Sequence, residues 1–253
     1  MTIFFTLSQK CMGLFALICC LFGTSVYAQA PAAPAGTAGV NAEGGAAPGS
    51  PTFKLSGGAE LMTNYVHRGL TETEKDPALQ ASFWFNFGPQ FRLGLWGTNV
   101  GYEGSDTRFL LKMNADVKVN FSDTSHMIIM VSKNNYFKPE DRNGWTYGLH
   151  FGFSKYKVLI ENETNWHATN SQLMYYAFGY EHDINEKWLW PSEVGYSQFR
   201  DDNYSNYFDF RTGIHYKSSV NIRYKLYFTG ATNAGQFDGR AAYAFILAAQ
   251  TEF

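Results

Sequence analysis

Beyond Phe53 the chain falls into stretches of about ten residues in which apolar and polar side chains take turns, the period of a strand whose two faces meet different solvents. The clearest stretch runs from 204 to 216. Tyr204, Phe208, Phe210, Ile214 and Tyr216 fall on one face, and Asp209, Arg211, Gly213 and His215 on the other. The next stretch repeats it, with Val220, Ile222, Tyr224, Leu226 and Phe228 alternating with Asn221, Arg223, Lys225 and Tyr227. The same reading predicts strands at 53–66, 78–88, 90–100, 107–121, 125–136, 144–154, 156–166, 171–181, 188–199, 204–217, 219–229 and 240–253. The fifth, eighth and ninth of these alternate less cleanly, and Pro191 inside the ninth cannot donate to a ladder. Two adjacent strands that carry charge on one face and large apolar groups on the other suit the wall of a barrel in lipid. The expected fold is all-β, a transmembrane antiparallel up-and-down barrel of about twelve strands, an even number with both ends of the chain on one side.

The connections agree with this. Gly88-Pro89-Gln90, Ser122 to Ser125, Ser154-Lys155, Asp183 to Lys187 and Ser218-Ser219 are short, whereas Glu72 to Asp76, Phe137 to Asn143, Arg200 to Asn203 and Thr232 to Gly239 are longer and charged. Short periplasmic turns opposite longer external loops are the habit of such barrels. A two-residue loop at Ser154-Lys155 sets Phe153 opposite Tyr156 and Phe151 opposite Val158, which keeps the apolar set on one side. A three-residue loop at Lys217-Ser218-Ser219 pairs Tyr216 with Val220 and places Arg211 directly across from Lys225.

Composition sharpens the picture in three places. Aromatic residues make up 17% of the chain, with Tyr 16 and Phe 22, while mean hydropathy stays on the polar side; aromatic girdles around a polar lumen produce that combination. Lys10, the apolar run Cys11 to Phe22 and Ser25-Val26-Tyr27-Ala28 read as a secretory signal peptide over residues 1–28, with an apolar core too short to span a bilayer as a helix. Cys11, Cys19 and Cys20 all lie inside it, so the exported chain is expected to hold neither disulfide nor thiolate metal site. Residues 29–51 are almost wholly Ala, Pro and Gly and are expected to form a disordered periplasmic tether before a barrel over 52–253. A net charge of −2 gives no reason to expect nucleic acid as a partner.

The inward face is expected to carry Lys54, Glu60, Arg92, Lys112, Asp116, Glu161, Glu163, Glu193, Asp209, Arg211, Arg223 and Lys225. Of these, Arg92, Lys112, Asp116, Glu161, Glu163, Asp209, Arg211, Arg223 and Lys225 are the candidate channel-lining residues. Arg211, Arg223 and Lys225 would form a basic side and Glu161 with Glu163 an acidic side, with a transverse field between them. A backbone radius of roughly 12 Å less side chains of about 5–6 Å leaves room for a small-solute passage; the alternative is that opposite charges pair across the interior and fill it. The last segment puts Tyr243, Phe245, Leu247 and Phe253 on one face and ends on an aromatic residue, the form of an outer-membrane assembly signal.

Asn64-Tyr65-Val66-His67-Arg68-Gly69-Leu70, then Asp76-Pro77-Ala78-Leu79-Gln80 and Leu93-Gly94-Leu95-Trp96-Gly97-Thr98-Asn99-Val100, resemble the opening signature of the TorF-type porin family of proteobacterial outer-membrane barrels. That family carries a Tyr-x-x-Arg-Gly turn, a Pro-Ala-x-Gln strand start and a Gly-x-Trp-x-Ser-Asn-Val strand end; Thr98 stands here for the Ser. The resemblance implies a barrel in the Gram-negative outer membrane and makes Arg68 and Gly69 an external-loop motif, without implying a particular solute.

Catalytic chemistry finds little support. A lipid-modifying barrel enzyme needs a nucleophile and base at the outer rim, and no spacing ties His67, His167 or His182 to a Ser and a carboxylate. No phosphate-binding Gly loop or helical His pair is present, so no cofactor and no metal is expected. The expectation is a porin-like channel for small polar or charged solutes and not an enzyme, with a plugged structural or adhesive barrel as the alternative and a rim-active enzyme third. Its partners would be outer-membrane lipid, the assembly machinery and small solutes; the oligomeric state is left open.

Overall fold

A computed structural model describes residues 53–102, 106–137, 142–166, 171–200, 204–218, 221–241 and 243–253; the expected signal peptide and the Ala/Pro/Gly segment fall outside the described residues. The strands are β1 (Phe53–Met62), β2 (Val66–His67), β3 (Leu70–Thr71), β4 (Ala78–Phe87), β5 (Phe91–Asn99), β6 (Phe109–Ser122), β7 (Ser125–Tyr136), β8 (Gly144–Phe153), β9 (Tyr156–Trp166), β10 (Ser171–Asp183), β11 (Trp188–Phe199), β12 (Tyr207–Lys217), β13 (Ile222–Ala231) and β14 (Ala244–Glu252). Twelve of them close into one antiparallel barrel, each beside its sequence neighbour in the wall, with β1 against β14 at the seam. There Gly57 and Phe253 exchange two backbone hydrogen bonds of 2.9 Å each. β2 and β3 stand apart as a two-stranded sheet. No helix among the described residues is long and apolar enough to cross a membrane.

Alternation becomes geometry as the pattern demands. Leu55, Leu61, Phe87, Leu95, Val117, Phe178, Leu226, Phe245 and Leu247 point outward and are exposed, while the residues between them line the interior. A soluble protein would not leave so continuous an apolar band uncovered, and a closed wall leaves no unpaired edge to meet lipid.

The Ser154-Lys155 hairpin has the expected register, Phe153 opposite Tyr156 and Phe151 opposite Val158. At the next-to-last turn the register differs: Tyr216 faces Tyr224 and Lys217 faces Arg223, so Arg211 lies opposite Thr229 and His215 opposite Lys225. The turn there takes in Asn221, whose φ of 57° supplies the left-handed residue. Because the slip is an even number of residues, every side chain keeps its face while changing its neighbour. Pro191 sits within β11, and the ladder to β12 skips Trp190 and Pro191, as a missing N–H requires. β1 ends at Met62 rather than 66, because the next residues leave the wall and turn inward.

Candidate functional site

The first long connection, residues 63–77, leaves the surface over most of its length: residues 64–73 are buried or half-buried, and Glu74 to Pro77 are exposed. β2 and β3 pair Val66 with Thr71 and His67 with Leu70, and Arg68 and Gly69 close the hairpin with φ of 49° and 75°. Positive φ at both central residues defines a type I′ turn, whose twist matches a tight antiparallel pair. Glycine meets this at no cost; an L-residue at the first position gives up about 1–2 kcal/mol. Gly69 is also required by space, since a Cβ there would lie 2.7 Å from the Cβ of Ala231 and 2.9 Å from that of Asp209.

The cost at Arg68 is offset by where its side chain goes. Its guanidinium crosses the bore to β9, the sixth neighbour of β1 in either direction around the ring. Nη2 lies 2.7 Å from Glu161 and Nη1 2.9 Å from Glu163, with the arginine side chain only 3% exposed. The Tyr175 ring lies 4.5 Å beneath it, and His150 Nε2 holds the other oxygen of Glu161 at 2.8 Å. Removing one partner of so buried a pair leaves uncompensated charge, a loss of about 3–5 kcal/mol.

Behind the tip the hairpin is held twice more. Leu70 is fully buried among Leu173, Phe199, Tyr207 and Phe237 and bridges to Ala241. Glu72 accepts hydrogen bonds from Tyr102 Oη and, at 3.1 Å, from Arg240 Nη2. Burial pushes the Glu72 carboxyl above its ordinary range, and Arg240 pulls it back. Thr71 Oγ1 donates to Asn64 Oδ1 at 2.6 Å, tying the two arms together at their base.

The other candidate lining residues all lie on the inner face. Arg92 bonds Asp116 at 2.6 Å and stacks 4.2 Å over Trp84. Lys112 lies 5.4 Å over Trp96, Lys225 bonds Glu60 at 3.0 Å, and Asp209 accepts from Tyr175 Oη at 3.2 Å. Arg211 stands 3.6 Å from Glu193 and Arg223 3.8 Å from Glu252, with side chains 45% and 39% exposed. Both separations are too long for a hydrogen bond, so these two guanidiniums face the lumen with donors unspent on protein.

Two expectations change. Glu161 and Glu163 do not form an open acidic side, because Arg68 bonds both and offsets one of their two charges; the transverse field between β12–β13 and β9 is correspondingly reduced. The Arg68-Gly69 pair lies in the first long connection, and that connection folds inward so that its tip reaches into the bore. His67 in the hairpin and His182 near the short turns lie at opposite ends of the barrel, and His167 falls outside the described residues. His150, Tyr175, Glu72 and Arg240 went unread as partners of the hairpin. An Arg-Gly pair flanked by Val66-His67 and Leu70-Thr71 was the one available signal, a type I′ turn with glycine in second place.

Comparison with known proteins agrees with this architecture. The sequence model of the family described as "Bacterial protein of unknown function (Gcw_chp)" matches residues 45–250. No curated protein matches the sequence. Among solved structures, the NanC porin is similar over 78% of this chain and 98% of its own, with TM-score 0.54 and 6% identity. The structure titled "KdgM porin in complex with disordered oligogalacturonate" is similar over 80% of this chain and 99% of its own, with TM-score 0.51 and 10% identity.

Proposed function

The chain belongs to the Gcw_chp family, and we propose that it is a small porin-like channel of the Gram-negative outer membrane, passing small charged solutes past a constriction formed by the first-loop hairpin. The observation that carries this reading is the state of the inner wall below the hairpin. Arg92, Arg211 and Arg223 keep 42%, 45% and 39% of their side-chain surface exposed there, and a wall whose charges were packed against one another would not leave that surface. Porin neighbours at 6% and 10% identity support the barrel and no particular solute.

The long loops then face outward and the short turns the periplasm, with lipid around the apolar band. The hairpin decides how much passes. Two paired strands with their side chains are about 10 Å wide, against a clear bore of roughly 12–14 Å, so the opening is narrow and its lining decides selectivity. With Glu161 and Glu163 clamped by Arg68 and one of their two charges offset, the unspent donors of Arg211 and Arg223 give a mild preference for anions, fading as salt screens it.

The test is conductance of the refolded protein in planar bilayers. Small steps with a reversal potential on the anion side are expected, moving toward cations in the Arg211→Gln, Arg223→Gln double variant. That pair leaves no buried carboxylate without its partner, unlike replacement of Lys225. Unchanged selectivity would remove these two residues from the ion path. A second reading, a plugged structural barrel, draws on the burial of Leu70 and Arg68; it holds if neither the wild type nor a variant lacking the hairpin conducts.

A further inference from the structure

The loops at the long-loop end border an open cavity of about 580 Å³ on the outer side of the hairpin, within the size range of small-molecule sites. Its lining has two unlike parts. One is a pair of guanidiniums on a single ring: Arg142 lies 4.0 Å and Arg240 5.0 Å from the centroid of Tyr102. Arg240 is fixed there by Glu72 at 3.1 Å and by the Thr71 carbonyl at 3.2 Å. Arg142 is placed by stacking, and its Nε is shut off from solvent with no acceptor. A buried guanidinium donor left unmet is costly and marks a place where an acceptor belongs.

The other part is aromatic. Tyr204, half-buried, presents the wall, backed by the buried Trp166 and Phe237; Trp166 lies 5.0 Å from Tyr204 and 5.8 Å from Phe237, and Tyr204 is nearly parallel to Phe237. That wall is knitted in advance. Gln236 Oε1 accepts from the Ser205 N–H at 2.7 Å, and its Nε2 donates to the Ser205 carbonyl at 2.9 Å. At the lip, Glu74 and Lys75 both adopt left-handed φ, 53° and 73°. Because Glu74 and Asp238 also line the cavity, it is no general well for anions; it suits a ligand with one acidic end and an otherwise neutral, flat or ring-shaped body.

We propose that this vestibule is a solute-binding site for a small organic monocarboxylate carried on a ring, the carboxylate meeting Arg142 and Arg240 and the ring lying against the aromatic wall. The proposal rests on the channel reading only for the direction from which solute arrives. Its test does not need conduction: glucuronate and glucose, the same ring with and without a carboxylate, are titrated calorimetrically into the refolded protein in detergent. Saturable glucuronate binding is expected, with glucose at least about tenfold weaker, and Arg142→Gln should weaken glucuronate by about tenfold as well. Arg142→Lys should fall between, since it keeps the charge and loses the fork. Retention of the heat-dependent gel shift establishes that each variant is folded. Equal binding of the two sugars, or glucuronate binding indifferent to Arg142→Gln, overturns the carboxylate assignment; absence of saturable binding overturns the site. Binding without conductance would leave the site standing and remove the channel, and conductance without binding would do the reverse.

Discussion

Arg68 occupies a backbone position suited to glycine and spends its side chain on two carboxylates across the bore. Turn and charge can be separated by substitution. Arg68→Gly relieves the left-handed backbone by about 1–2 kcal/mol but uncovers Glu161 and Glu163; Arg68→Gln uncovers them and keeps the strain. Both variants should therefore conduct more than the wild type, by about twofold or more, with reversal potentials shifted toward cations. A shift in neither would mean that the clamp does not border the ion path. Adding Glu161→Gln and Glu163→Gln to either variant should take the cation shift away. Of this cluster the sequence displayed the Arg-Gly pair and the inward parity of both glutamates. It could not display their meeting, because a contact between residues 95 positions apart leaves no periodic trace.

The hairpin as an element is held by its tip, by Leu70 and by its base, so weakening it should be graded. Gly69→Ala forces a Cβ against Ala231 and Asp209 at a φ of 75°, and should unseat the tip while leaving the wall untouched. The expected record is larger and noisier conductance with an unchanged heat-dependent gel shift. A lowered shift temperature instead would show that the hairpin braces the wall. At this scale the strands were legible nearly throughout, since alternation fixes a face whichever partner lies opposite. Loop length was the weak link. The turn between β12 and β13 is longer than Lys217-Ser218-Ser219 allowed, which moved Arg211 from Lys225 to Thr229 without moving either off the inner face. The opening hairpin was hidden for a related reason: a two-residue strand is too short to establish a period, so the chain up to Val66 read as the end of β1 and Arg68-Gly69 as a turn in the loop after it.

The whole barrel is closed at one seam, where β1 meets β14 and Phe253 meets Gly57. Deleting Phe253 removes one pair of backbone bonds there along with the terminal aromatic residue, and should lower the amount inserted in the outer membrane while leaving export to the periplasm intact; equal insertion would count against a terminal assembly signal. The hairpin extends from β1, one of the two strands that make this seam, yet grips β9 through Glu161 and Glu163 and the segment before β14 through Ala241. Those contacts span much of the chain, and links between residues so distant in sequence form late. Its tip has nowhere to dock until the far wall stands and the first strand has arrived beside the last. In time, then, the hairpin is the final part to settle, and protection of the Arg68-Gly69 peptide from protease during refolding should lag behind the growth of sheet signal, dating the moment at which the ring is complete.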